Sequence, residues 1–332
     1  MEGIRRRLLA SMGLALVAPA LARAQSSRAP RRVGIITWQG ALMELTKPAG
    51  GDFRAAMKAF GHLEGRDVVY EGRYWRSQEQ APEMVRGLVR LGVDVIVAAG
   101  PPSIVAARAV TDRVPIVMMY SAEPVAMGLV ASLSRPGGNI TGLTWDHGFE
   151  TNLKALELLR EALPKLRRVA LIWDATDSVH PVYARHFAKA APQLGMTLVS
   201  VALKNIADLE PEFARMRAEK AEALVVLPSG QITIPNRGTI LSLVTRERLP
   251  TLVAIIDDRD WPGALLRYGP NLSSSPRRAA AYVDRILKGA KPADMPVEQP
   301  DKYDFIVDLA AAKMLGVKLP ASLLARADRV IE

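Results

Sequence analysis

The chain has 332 residues, 49% hydrophobic and 23% charged, which is enough apolar material for two ordinary cores and too much for a disordered polymer. It has no cysteine, so disulfides, thiolate metal sites, a cysteine nucleophile and a lipid-modified N-terminal cysteine are excluded. The formal charge of +10 is dispersed along the chain instead of gathered in a basic block, so a nucleic-acid surface is not expected.

The N-terminus reads as a cleaved signal peptide over residues 1–24. Arg5-Arg6-Arg7 is its basic start, Leu8 to Val17 its apolar centre and Ala22-Arg23-Ala24 its small-residue cleavage site. The apolar run is too short to cross about 30 Å of hydrocarbon. Arg5-Arg6 also permits a twin-arginine route, with Sec export as the default. Cleavage removes four arginines and one glutamate and takes the charge from +10 to +7. No later stretch reaches 18 apolar residues, so the expectation is an exported periplasmic protein that is not lipid-anchored.

From Arg32 onward, short Val/Ile-rich runs alternate with helical patterns. Strands are expected at 33–37, 67–74, 94–99, 115–119 and 140–144. Helices are expected at 51–60, 80–91 and 103–111, with a short one at 127–133. The alternation then restarts, with helices at 150–163, 183–194, 209–219 and 237–248 between strands at 168–173, 197–203, 223–227 and 251–256. A strand at 265–270, a helix at 277–287, a strand at 302–307 and short helices at 309–315 and 322–327 finish the chain. Two βαβ series imply an α/β protein with two doubly wound parallel-sheet lobes. The last pieces are too few for a third core, which implies three crossings between lobes: 31–144 plus 269–291 as lobe 1, and 145–268 plus 292–332 as lobe 2.

Open parallel sheets bind ligands beyond the carboxyl ends of their strands. Those ends supply the candidate ligand-binding residues: Trp38 and Gln39; Gly100 and Ser103; Tyr120, Ser121 and Glu123; Thr144 and Trp145; Trp173 and Asp174; Ser229; and Asp257. All five tryptophans (Trp38, Trp75, Trp145, Trp173, Trp261) fall at or just past expected strand ends, so about half are expected to line an aromatic cleft. Ser103, Ser121 and Thr144 could hydrogen-bond a carboxylate, helped by helix N-terminal amides, although Ser103 could equally be a plain N-cap. Asp257 or Asp174 could accept from an ammonium or cap the next turn. The four histidines show no metal spacing, and neither a nucleophile elbow nor a dinucleotide fingerprint is present. No catalytic residue, metal or cofactor is therefore expected.

Three runs carry a family resemblance: Val93-Asp94-Val95-Ile96-Val97-Ala98-Ala99-Gly100; Gly128 to Gly142, reading GLVASLSRPGGNITG; and Tyr282 to Pro292, reading YVDRILKGAKP. With Leu319-Pro320 and Leu323 to Asp328, the mature chain resembles ABC-transporter substrate-binding proteins of the family that includes tryptophan-binding members, with the type I periplasmic binding fold. The resemblance implies a ligand-delivery role without chemistry, a small-molecule ligand such as an amino acid or related small carboxylate, ABC permease subunits as partners, and a monomer. Two departures bear on the ligand. The family commonly has Gly-Thr-Pro where this chain has Gly100-Pro101-Pro102, and often Gly-Asp-Pro where it has Ala122-Glu123-Pro124. The alternatives are a ligand-sensing subunit of the same fold and an exported α/β enzyme.

Overall fold

The computed structural model describes residues 29–38, 52–145, 148–254, 261–272, 274–300 and 302–332. The expected signal peptide, Gln39 and Asp257 lie outside them. Among the described residues no helix is long and apolar enough to cross a membrane.

Two sheets organise the chain from Arg31 on. The first is fully parallel, in the order β2-β1-β3-β4-β5, from β1 (Arg31–Trp38), β2 (Val68–Trp75), β3 (Val95–Ala99), β4 (Ile116–Ser121) and β5 (Ile140–Thr144). The connecting helices are α1 (Asp52–Ala59), α2 (Ala81–Arg90) and α3 (Pro101–Val110). β3 shows why a continuous apolar run makes such a strand. Val95, Val97 and Ala99 pack toward α1, and Ile96 and Ala98 toward α2 and α3, so both faces are covered.

The second sheet runs β12-β11-β10-β9-β8-β6-β7. Its strands are β6 (Arg168–Asp174), β7 (Thr197–Leu203), β8 (Ala223–Val226), β9 (Thr251–Val253), β10 (Leu266–Pro270), β11 (Tyr303–Asp308) and β12 (Arg329–Ile331), and only the β10–β11 pair is antiparallel. α4 (Phe149–Ala162) and α5 (His180–Gln193) cover one face; α6 (Leu209–Ala218) and α7 (Arg237–Arg246) cover the other. α8 (Ser275–Leu287) returns to the first sheet, where Ala279, Ala280, Tyr282, Val283 and Ile286 are buried beside α1. Two short helices, α9 (Leu309–Leu315) and α10 (Ala321–Leu324), end the chain on the second sheet.

The chain passes between sheets three times. The first passage follows Thr144 and the second follows Pro270. The third is later than 291/292. Met295 and Val297 are buried with the first sheet, Thr141 donates to Met295 O at 2.6 Å, and Glu298 N donates to Gly142 O at 2.9 Å. The first sheet therefore keeps the chain through Glu298, and the switch falls between there and Tyr303. The segment carries no strand-like run, so its attachment left no pattern in the sequence.

Three other expectations change. The short helix at 127–133 is a series of turns, because Gly128 takes φ +65° and the amides of Leu129 and Val130 both fold back onto Pro124 O. The strand at 251–256 is β9 over Thr251–Val253, with Ala254 in a bend. β12 was not foreseen, being three residues long and largely exposed.

Gly142 is where β5 lies tightest on β4. A β-carbon there would sit within 2.6 Å of Met118 N and close on Met118 O, and φ is +128°. Gly142→Ala should cost at least about 3 kcal/mol, from backbone strain plus overpacking, with Gly138→Ala, which meets nothing within 4 Å, changing stability by under about 0.5 kcal/mol. Urea unfolding of the two variants gives the comparison; near-equal midpoints would contradict the packing.

Candidate functional site

The strand-end rims of the two sheets face each other across a cleft of about 810 Å³. From the first sheet it is lined by Trp38, Trp75 and the Arg76–Glu79 turn; from the second by Thr176, the Lys204–Ile206 loop, Gly230 to Ile232, and Asn236. Trp38 and Trp75 are register partners at the ends of β1 and β2, so the parallel ladder sets the two indoles side by side. Trp75 is buried and donates from Nε1 to Ser103 Oγ at 3.0 Å, a buried bond worth about 1 kcal/mol that pins the ring to the first turn of α3.

The rims touch. Gln78 Nε2 donates to Thr176 O at 2.6 Å, from the first sheet to the second. The Trp38 ring lies on Gly230, where an added β-carbon would meet its Cε2 at 3.0 Å and Nε1 at 3.1 Å. Each contact rests on a fixed turn. Asp174 Oδ1 accepts from both Thr176 N and Thr176 Oγ1, and Ser229 Oγ accepts from the amides of Ile232 and Thr233.

Of the residues expected at the site, Trp38 lines this cleft. Gly100 caps α3 at φ +85°, but Pro101 and Pro102 remove two of the helix's free amides, and the amides of Ser103 and Ile104 both fold onto Gly100 O. The anion cradle expected there is therefore depleted, and the Ser103 hydroxyl accepts from Trp75. Ser121 and Thr144 are buried at the ends of β4 and β5; Thr144 Oγ1 donates to Ser121 O, while Ser121 Oγ is buried without a hydrogen-bond partner. Tyr120 packs against the α1–α8 face of the first sheet. Trp145 Nε1 donates to Tyr183 OH at 2.8 Å within the second lobe's structure, and Trp173 Nε1 donates to Ser200 Oγ on the edge strand β7. Asp174 and Ser229 serve their turns, as above. Two of the five tryptophans thus reach the cleft, and Trp261 is a core residue, 1% exposed.

Glu123 occupies a different junction. The loop after β4 carries Ala122 into the second sheet's core, and Glu123 follows at φ +45°. Its Oε1 has no hydrogen-bond partner and lies 3.7 Å from His186 Nδ1 on α5, which also meets the Asn152 amide at 3.3 Å. Burial, reinforced by the Glu150 charge, pushes the Glu123 carboxyl above its ordinary value.

The rims of the edge strands β2 and β7 were not anticipated: Arg76, Gln78, Lys204 and Asn205 lie one to three residues past them. The strand-end rule that picked Trp38 reaches these positions when it is applied to edge strands too. Among the described residues no group of His, Cys, Asp or Glu could hold a metal ion.

Comparison with known proteins gives three findings. A family model described as "ABC transporter substrate binding protein" matches residues 46–331. The chain is 23% identical over 269 residues to a tyrosine-binding protein of Clostridioides difficile, covering 80% of this chain and 76% of that one. Among solved structures, it resembles an ABC domain in complex with L-Trp from Streptococcus pneumoniae (TM-score 0.80, 20% identity, 91% of this chain and 100% of that one). A conserved domain protein from Vibrio cholerae O1 biovar El Tor is equally alike (0.81, 23%, 91% and 100%). The shared fold is the type I periplasmic binding fold.

Two predictions follow from the rim contacts and from Glu123. Gly230→Ala leaves its own backbone unstrained but crowds Trp38, so it should leave the unfolding free energy measured in urea within about 0.5 kcal/mol of wild type while expanding the radius of gyration in X-ray scattering. An unchanged scattering profile would remove Trp38–Gly230 from the rim contacts. A carboxyl with a raised pKa binds its proton more tightly in the folded chain, so its contribution is present at low pH and is lost as pH rises from about 4.5 through the raised value. Glu123→Gln should therefore melt about 1–2 °C higher than wild type at pH 7, with the gap closing toward pH 4 in calorimetry.

Proposed function

Because the chain belongs to the ABC transporter substrate binding protein family, we propose that it is the exported, periplasmic solute-binding component of an ABC importer. It closes two lobes on a small molecule and presents the closed form to a permease. One lobe is the first sheet with α1 to α3 and α8, and the other is the second sheet with α4 to α7, α9 and α10; the three passages form the hinge. The ligand class is an amino acid or a related small carboxylate, in line with the tyrosine-binding relative and the L-Trp complex of the same fold.

The observation that carries this reading is the pair of rim-to-rim contacts across the cleft, Gln78 to Thr176 and Trp38 to Gly230. Ligand contacts to both rims favour the closed form in proportion to the difference in affinity between open and closed states. Trp38 is the candidate contact retained from the strand-end reading. Trp75, Gln78, Asn205, Gln231 and Asn236 join it as polar and aromatic lining, which is the make-up of small-molecule sites. The candidates engaged inside their own lobes, Ser103, Trp173 and Ser229 among them, act by holding the rims in place. The role is one of binding without turnover.

Mass spectrometry of the small molecules released from the purified chain tests the reading. One stoichiometric small ligand is expected, and adding it back at about 100 times its Kd should stabilise the protein by about 2.7 kcal/mol, seen as a higher melting temperature. Recovery of a chemically altered ligand, or no shift with any amino acid or small carboxylate, would overturn it.

A further inference from the structure

We propose that the cleft selects a ligand of net negative charge, whose acid group is shared by Arg76 on one rim and Lys204 on the other. This rests on the reading of the cleft as the ligand site and names the ligand's charge class. Both side chains are exposed, both line the cleft, and neither makes an ion pair among the described residues. Neighbouring arginines behave otherwise. Arg73, three residues before Arg76, pairs with Glu71, and Arg215, on the helix after Lys204, pairs with Glu212 and Glu219.

The acids closest in sequence to the two cations are already engaged. Asp208 accepts the amides of Lys204 and Asn205 through Oδ2 as the cap of its own turn, and its charge also acts on Lys204 without forming an ion pair. Glu79 is exposed, and a hydrogen bond from Ser77 holds its carboxyl below the usual range. The described charged lining is therefore Arg76 and Lys204 against Glu79, one positive charge in excess. Closing the rims brings the Arg76 and Lys204 cations toward one another, a repulsion that salt screens and that an entering anion relieves. The same anion contacts both lobes, so its binding and the closing are one event.

The depleted N-terminus of α3 supports the same conclusion from another direction. With Pro101 and Pro102 in its first turn and the next two amides on Gly100 O, that helix end has little to give a carboxylate. The carboxylate is left to the side-chain cations. The flat faces of Trp38 and Trp75 beside them suit a planar or aromatic body.

A charge series on one ring system is the test: indole-3-acetate (−1), L-tryptophan (net zero) and tryptamine (+1), titrated calorimetrically into the purified chain at low and high salt. Indole-3-acetate should bind at least about tenfold tighter than L-tryptophan, and tryptamine weakest, with the preference shrinking as salt rises. Arg76→Gln and Lys204→Gln, both on exposed side chains, should leave the melting temperature unchanged, cost the anion about fivefold each, and together abolish the preference. The inference is overturned by L-tryptophan binding as tightly as the acid, by a double variant that keeps the preference, or by no binding of indole-3-acetate. If L-tryptophan binds and compacts the double variant as it does wild type, the charge selection is lost and the binding-protein reading stands. If no released ligand is found and no probe compacts the chain, that reading falls as well.

Discussion

Glu298 makes a short ladder with β5. Its amide donates to Gly142 O and its carbonyl accepts from Thr144 N, so the strand that leaves the first sheet first is tied to the segment that leaves it last. Across the junction, Asn271 N donates to Lys302 O and Tyr303 OH to Trp145 O. Three chain passages are thereby gathered on one side of both sheets, next to β5 and the β10–β11 pair. Motion between lobes that are bundled on one side is a rotation about that bundle, and displacement grows with distance from it. The strands farthest from the bundle are β2 and β7; Gln78 follows β2, and its partner Thr176 follows β6, the neighbour of β7. A contact placed there responds to small angular changes, whereas the Ala122 loop, buried in the second core beside the junction, responds little.

The rims are built to be stiff on their own side of the cleft. Trp75 is held by Ser103, Thr176 by Asp174, and the turn before Asn236 by Ser229 and Thr233. Each bond occupies a strand-end polar group that would otherwise be open to a ligand. In exchange, the surfaces that meet are defined before any ligand arrives, and ordering them costs less at the moment of binding.

Most of the fold was legible because both sheets are buried on two faces. A run such as Val95 to Ala99 can only be a strand covered from both sides, and the helices between such runs show their apolar stripes. The two earlier passages were legible for the same reason, since each follows a clear strand. The third was not, because 292–298 is held by backbone hydrogen bonds and two isolated apolar residues, neither of which has a period. The helix expected at 127–133 failed on one residue, Gly128, whose positive φ turns the chain back onto Pro124. At the site, strand-end position picked out Trp38, which lines the cleft, but it does not tell a hydroxyl facing the cleft from one bonded to its own sheet. Ser103 and Trp173 sit where the rule puts them and point their polar atoms at Trp75 and Ser200. That distinction depends on side-chain partners far away in sequence.

The Trp38–Gly230 and Gln78–Thr176 contacts also bear on how much a ligand has to do. Both join protein to protein, so they favour the closed form whether or not the cleft is filled. A ligand shifts the equilibrium only by its difference in affinity between the two forms, and contacts that already lean toward closure reduce the difference it must supply. On the charge selection proposed above, the Arg76 and Lys204 cations act in the opposite sense. An empty cleft then has apolar and amide contacts favouring closure and that repulsion opposing it. What tips it is a group that removes the repulsion while leaving the contacts in place. On the proposed function, in which the closed shape is the output, discrimination between ligands rests on these opposed contacts as well as on the fit of the pocket wall.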